Sequence, residues 1–164
     1  MKKISFVILA AGKSRRMMSL KSKVLHELGD KVLLDYAWDI AVQNSTSDIF
    51  FVCSPQVKQY VNKNYKKAKT VIQKNQLGTA HAVECAKKYI SKNKHDVVVL
   101  FGDVPLIKNS TIKKLIKFNR KSKSIGTIVS FRSDKPFGYG RIISENQYVK
   151  SVVEESDTNY EQKK

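Results

Sequence analysis

Cysteine, proline and acidic residues are all scarce in this chain. The two cysteines, Cys53 and Cys85, are too few and too far apart for a disulfide framework or a zinc cluster. Three prolines and seven glycines in 164 residues exclude collagen-like and proline-rich chains. No apolar run approaches the roughly 18 residues of a membrane span. Only 14 residues are acidic against 31 lysines and arginines, a net charge of +17. No acidic residue falls between Asp48 and Glu84, or between Asp103 and Asp134. A chain this basic suits polyanions: nucleic acid, an acidic membrane surface or phosphate-rich small molecules. Lysine as the default surface residue accounts for most of the charge. No aromatic-plus-basic surface motif accompanies it, so neither specific nucleic-acid binding nor membrane binding is expected.

Apolar content of 41% is that of a soluble globular chain and excludes intrinsic disorder. The length suits one domain. The start, MKKISFVILAAGK, imitates a signal peptide, but its apolar stretch is short and Lys13, Arg15 and Arg16 follow at once. A first buried strand is the better reading, and a cytoplasmic protein is expected. Ile4–Leu9, Asp48–Cys53 and Asp96–Phe101 read as strands covered on both faces, and 125–131 (IGTIVSF) as a fourth. Leu33–Val42, Pro55–Asn64, Thr79–Ile90 and Ser110–Phe118 alternate with them as amphipathic helices. Ser110 is a possible N-cap. This alternation predicts an α/β fold with a mostly parallel, Rossmann-like sheet flanked by helices. The turn cluster Gly138-Tyr139-Gly140 leads into Arg141–Ser144 and Tyr148–Val153, which read as a hairpin around Asn146. The sequence supports a domain over residues 1–155 and a polar tail over 156–164.

In open parallel sheets, ligands bind at the carboxyl ends of the strands. Two loops at such ends stand out. After the first strand come Ala10, Ala11 and Gly12, small enough for backbone N–H groups to approach an anion. Lys13, Arg15, Arg16, Lys21 and Lys23 follow, the chemistry of a phosphate cradle. The loop is neither GxxxxGK[ST] nor GxGxxG, since Ser14 holds the second glycine position. After the strand ending at Phe101 come Gly102 and Asp103. A carboxylate there suits Mg²⁺ bridging to substrate phosphates, or it caps the next turn. The pair of loops points to metal-assisted chemistry on a nucleoside triphosphate.

The stretch LAAGKSRRM, followed by SKVLHELGDKVLLDYAWDIA, resembles the opening of sugar-phosphate nucleotidyltransferases. QKNQLGTAHA over 73–82, LFGDVPLI over 100–107, FGYGRI over 137–142 and VVE over 152–154 agree in order and spacing. Together they are most similar to the uridylyltransferase domain of the bacterial bifunctional N-acetylglucosamine-1-phosphate uridylyltransferase/glucosamine-1-phosphate acetyltransferases. The resemblance implies the nucleotide-diphospho-sugar transferase fold, with UTP and a sugar 1-phosphate as substrates and Mg²⁺ as cofactor. By position it implies that Ala11 and Gly12 hold the nucleotide through the backbone. Arg16 and Lys23 match the phosphate-binding, catalytic Arg and Lys. Gln73 and Gly78 match the uracil-reading positions, with Thr79 beside them. Asp103 matches a metal ligand, and Gly140 and Glu154 match sugar contacts.

Some positions depart from that pattern. Ser14-Arg15-Arg16 stands where GTR is usual, Ser22 where a proline precedes the lysine, and Phe101 where a tyrosine precedes Gly-Asp. The family's next strand, with its Asn-Thr-Gly segment and second metal ligand, does not follow Glu154. The fold is therefore expected to be incomplete at its C-terminal side. A remnant that folds and binds nucleotide with little activity is an alternative to a working enzyme. A basic nucleic-acid-binding protein is a second. Gln73 also reads as a polar residue at a strand end, Gly78-Thr79 as a plain helix cap, and His81 as an ordinary helix residue. The sequence carries no signal of oligomeric state.

Overall fold

The run ISFVILA forms strand β1 (Ile4–Ala10), and its side chains are buried on both faces with little exception. The computed structural model describes residues 2–12, 17–90, 95–146 and 148–160. A two-residue ribbon follows β1, β2 (Glu27–Leu28) with β3 (Lys31–Val32), turning at Gly29 with φ +70°. Then come helix α1 (Leu33–Asn44), β4 (Ile49–Cys53), α2 (Pro55–Asn64), β5 (Ala68–Ile72), α3 (Thr79–Ile90), β6 (Asp96–Phe101) and α4 (Asn109–Ser122). The chain ends in a hairpin of β7 (Arg141–Glu145) and β8 (Tyr148–Val153). It divides into two compact units, Met1–Lys114 and Leu115–Lys164.

In the first unit the sheet order is β5-β4-β1-β6, parallel throughout. β1 lies between β4 and β6, pairing Ile8 with Phe51 and Val7 with Val99. Because side chains alternate along a strand, successive residues feed two different cores. Val7, Phe50, Val52 and Val71 pack against Ala82 and Ala86 of α3. On the other face Phe51 meets Trp38 of α1 at 5.9 Å and Tyr65, just past α2, at 5.4 Å. Ser54 caps α2 by accepting from the Val57 N–H, and Pro55 supplies a first residue with no N–H to satisfy. Asp35 accepts the Val32 N–H at 3.0 Å, and it also accepts the hydroxyls of Tyr60 and Tyr65. Burial and the adjacent Asp35 push the Tyr65 hydroxyl well above the ordinary tyrosine range, so it serves as a donor.

Four expectations need correction. Residues 125–131 form no strand, and Ile125 and Phe131 are 110% and 66% exposed. A strand requires a partner for its backbone groups, and this segment pairs with no described strand. β6 is an edge strand rather than one covered on both faces: Val98 and Leu100 are buried, but Val97, Val99 and Phe101 are open. Ser110 lies inside α4, whose first turn bonds to the Lys108 carbonyl instead. Cys85, whose place among Ala82, Val83 and Ala86 in a helical pattern reads as a buried reduced thiol, is half-buried, and Cys53 is the enclosed thiol. The hairpin around Asn146 forms as expected, with Asn146 at φ +49°. No described helix is long and apolar enough to cross a membrane.

Candidate functional site

Three loops at the carboxyl end of the parallel sheet meet around one pocket of about 270 Å³. The first leaves β1 through Ala11, which is buried, into Gly12. A Cβ on Gly12 would touch no described residue, so packing among those residues does not demand glycine there. Gly102, in the loop after β6, is the opposite case. Its N–H donates to the Leu9 carbonyl at 2.9 Å. A Cβ on it would lie 2.8 Å from Leu34 Cδ1 and 3.1 Å from that same carbonyl oxygen. Only glycine lets the loop press this close to β1, and the next residue, Asp103, is thereby held at the pocket wall.

The third loop joins β5 to α3. Gln73 extends the β4–β5 pairing by one bond, its N–H donating to the Cys53 carbonyl at 3.2 Å. Its side chain is 95% buried and lines the pocket. Gly78 takes φ +102°, a conformation side chains resist, and its carbonyl accepts the Ala82 N–H as α3 begins at Thr79. Gly78-Thr79 therefore caps a helix and lines the pocket at once. A helix N-terminus at a pocket wall favours anions.

Asp103 is ion-paired to Lys23, Nζ to Oδ2 at 3.0 Å, with both side chains more than a third exposed. Lys23 opens a short 3-10 turn whose next residues, Val24 and Leu25, are buried beneath it. The structure thus brings Ala11, Gly12, Gln73, Gly78, Thr79 and Asp103 to one pocket, with Lys23 bound to Asp103. Gly140 and Glu154 belong to the second unit, where a Cβ on Gly140 would come within 3.7 Å of Glu154 Oε2. Arg16, with Lys13 and Arg15, lies outside the described residues. Besides the apolar Leu9 and Ala82, the pocket is also lined by Gln76 and Phe101. Both sit inside motifs the sequence displayed, QKNQLG and LFGD, but polarity or size alone gave neither a chemical role.

The donor set limits what metal the pocket can hold. Among the described residues no group of three or more His, Cys, Asp or Glu could hold an ion. Asp103 is the pocket's carboxylate among those residues. One hard oxygen ligand does not make a closed protein site, but it fits Mg²⁺, which keeps its waters and is shared with substrate phosphates.

Residues 6–147 match the model of the MobA-like NTP transferase domain. The chain is 40% identical over 161 residues to the bifunctional protein GlmU of Fervidobacterium nodosum, covering 96% of this chain and 34% of that protein. It spans about a third of the length of the curated relatives it matches. Among solved structures, a UDP-glucose pyrophosphorylase complexed with UDP-glucose superposes with a TM-score of 0.73 at 21% identity, over 98% of this chain and 71% of that one. A manganese complex of Rv0371c from Mycobacterium tuberculosis superposes with a TM-score of 0.59 at 19% identity, over 73% and 61%. The nucleotide-diphospho-sugar transferase fold expected from the sequence is therefore the fold of the chain.

Proposed function

This chain belongs to the MobA-like NTP transferase domain family, and on that footing we propose that it is a nucleotidyltransferase acting on a nucleoside triphosphate, with UTP favoured, and a sugar 1-phosphate such as N-acetylglucosamine 1-phosphate. The observation that carries the proposal is the convergence of Gly12, Gln73, Gly78 and Asp103, from three separate loops, on one pocket at the strand ends.

In this reading a phosphate oxygen of the sugar 1-phosphate attacks the α-phosphorus of UTP. The bond from that phosphorus to the β-phosphate oxygen breaks, releasing pyrophosphate and leaving a nucleoside diphosphate sugar. The protein positions the two reactants and stabilises charge, with no covalent intermediate. Gly12, lacking a Cβ, lets the phosphates lie against the backbone, and Ala11 beside it is equally undemanding of space. Gln73 and Gly78 hold the base, with Thr79 adjoining. Lys23, released from Asp103, and Arg16 bind phosphate oxygens. Gly140 and Glu154 contact the sugar. Asp103 would hold Mg²⁺, which when bound spreads the negative charge of the triphosphate.

Thermal unfolding with and without UTP and Mg²⁺ tests the binding half, because a ligand bound to the native state alone stabilises it by mass action. At one hundred times Kd the expected gain is about 2.7 kcal/mol, several degrees in Tm. Arg16→Ala should reduce that gain. The absence of a shift with any nucleoside triphosphate at millimolar concentration would overturn the reading. Pyrophosphate release with both substrates tests the chemistry, and Asp103→Ala should lower it at least ~10²-fold.

A further inference from the structure

His81, on the first turn of α3, is bonded to Gln73, the one buried polar side chain among the described residues of the pocket. Gln73 Nε2 lies 2.9 Å from His81 Nδ1 and 3.3 Å from the Gly78 carbonyl oxygen. The Gly78 oxygen can only accept, so the amide atom facing it is the NH₂ group. That group donates both of its hydrogens, one to Gly78 and one to the imidazole. His81 Nδ1 is therefore an acceptor, and in the neutral ring the hydrogen sits on Nε2. Nε2 lies 3.9 Å from Cys85 Sγ, one helical turn along α3, a weak acceptor for that hydrogen. The chain of bonds has one consistent direction, from Gln73 through His81 to Cys85. It leaves Gln73 Oε1 with no hydrogen bond to a described residue.

We propose that His81 is a positioning residue that locks the Gln73 amide so that the pocket offers a base an acceptor, Oε1, and never the NH₂ group. The proposal rests on the reading that Gln73 faces the nucleotide base. An acceptor fixed in this way suits a base edge carrying an N–H, as uracil does at N3. Cytosine carries a lone pair at the same atom and meets an unpaired acceptor. Sites built around one hydrogen bond reject the analogue that lacks it, because a buried polar group is then left unmatched. Without the imidazole the amide keeps only the longer of its two bonds, that to the Gly78 carbonyl, and turns over more readily to serve either base. His81 would then set the choice of base without touching it.

Two measurements on the 164-residue chain test this. In the first, ¹⁵N NMR of the imidazole reads the tautomer without any ligand. Hydrogen on Nε2 and a bare Nδ1 is expected, and hydrogen on Nδ1 would overturn the lock. In the second, Kd for UTP and for CTP, each with Mg²⁺, is measured for the parent and for variants. His81→Ala should collapse the CTP-to-UTP ratio of Kd about tenfold, roughly one hydrogen bond. His81→Asn keeps an acceptor near the Nδ1 position and should restore the ratio to within about twofold. His81→Gln reaches toward the Nε2 position and should not. Gln73→Ala combined with His81→Ala should lose no more selectivity than Gln73→Ala alone. Additive losses, or equal selectivity in His81→Asn and His81→Gln, would show that His81 is merely structural. If Gln73→Ala itself leaves the ratio unchanged while the tautomer is as expected, the base-site reading of Gln73 fails and the specificity role falls with it.

Discussion

Phe51 and Phe131 sit in segments that look alike on paper, DIFFVC and IGTIVSF, yet Phe51 is 0% exposed and Phe131 is 66% exposed. The contrast extends to their whole units. Up to Ile112 the chain buries both faces of its central strands; beyond it, no described residue is buried. Phe118, Ile125, Phe137 and Tyr148 are each more than half exposed. What separates the regions is partnership rather than composition. β4 has β1 on one edge and β5 on the other, with aromatic side chains of α1 and the α2 exit over Phe51. Residues 125–131 pair with no described strand, and β7 and β8 pair with each other in a two-stranded sheet. An isolated two-stranded hairpin is marginal in water. An apolar run becomes core only when its backbone groups and its face are both answered.

Substitutions can break that comparison. The largest effect is expected from Phe51→Ala, which opens a cavity among Trp38 and Tyr65 and should cost about 3–5 kcal/mol in denaturant unfolding. A loss under 1 kcal/mol would mean the first unit is not the cooperative core. Next comes Gly102→Ala, where the added methyl meets Leu34 at 2.8 Å and a backbone oxygen at 3.1 Å. About 1–3 kcal/mol of overpacking is expected, together with weaker UTP binding as Asp103 shifts. Unchanged stability with unchanged binding would show that the close approach does not hold the pocket in place.

Much of the first unit was legible because its signals are local and redundant. Long β-branched runs, a proline at a helix start and helical spacing over 79–90 each point one way, and the Pro55–Asn64 and Thr79–Ile90 helices have the expected bounds. β5 was hinted at only by Gln73 as a polar residue at a strand end, because AKTVI carries Lys69 and Thr70 and shows no continuous apolar run. Polar residues are what an edge strand uses to discourage further pairing, so its position in the sheet hid it. The β2–β3 ribbon is two residues per strand, too short to show a period. At the site, Gly12 and Asp103 were legible from their loops at strand ends, and Gln73 and Gly78 from the family resemblance of QKNQLGTAHA. The pairing of Lys23 with Asp103 and of His81 with Gln73 was not, since both join residues through tertiary contact or a side-chain geometry that no pattern encodes.

Alkaline pH sharpens the comparison, since it acts on buried groups and the second unit has none described. Burial pushes the Cys53 thiol from 9.0 up to about 12, with Lys58 pulling weakly the other way. The raised value means the folded state holds a proton that the unfolded state releases. This contribution to stability is complete below pH 9 and is lost as pH rises from 9 toward 12. At pH 10 the loss is about 1 kcal/mol. Cys53→Val should flatten this part of the stability profile relative to the parent. An identical fall between pH 9 and 12 in both proteins would assign it elsewhere, with Tyr65 the first candidate, since its hydroxyl is also pushed up.

The smallest expected effect tests the second unit itself. Ile125 is fully exposed and its segment makes no strand pairing, so its side chain contributes no buried area to lose. Exposed substitutions away from caps, turns and cores ordinarily fall within about ±0.5 kcal/mol. Ile125→Ser should therefore leave the unfolding midpoint of the 164-residue chain where it is, while improving solubility by removing an exposed apolar group. The same change in the first unit, Ile8→Ser, removes a side chain that is 0% exposed and should cost several kcal/mol. The pair makes the contrast quantitative. If Ile125→Ser destabilised by more than about 1 kcal/mol, residues 125–131 would have a partner in solution that answers their backbone and their apolar face, and the division between a partnered and an unpartnered region would not hold.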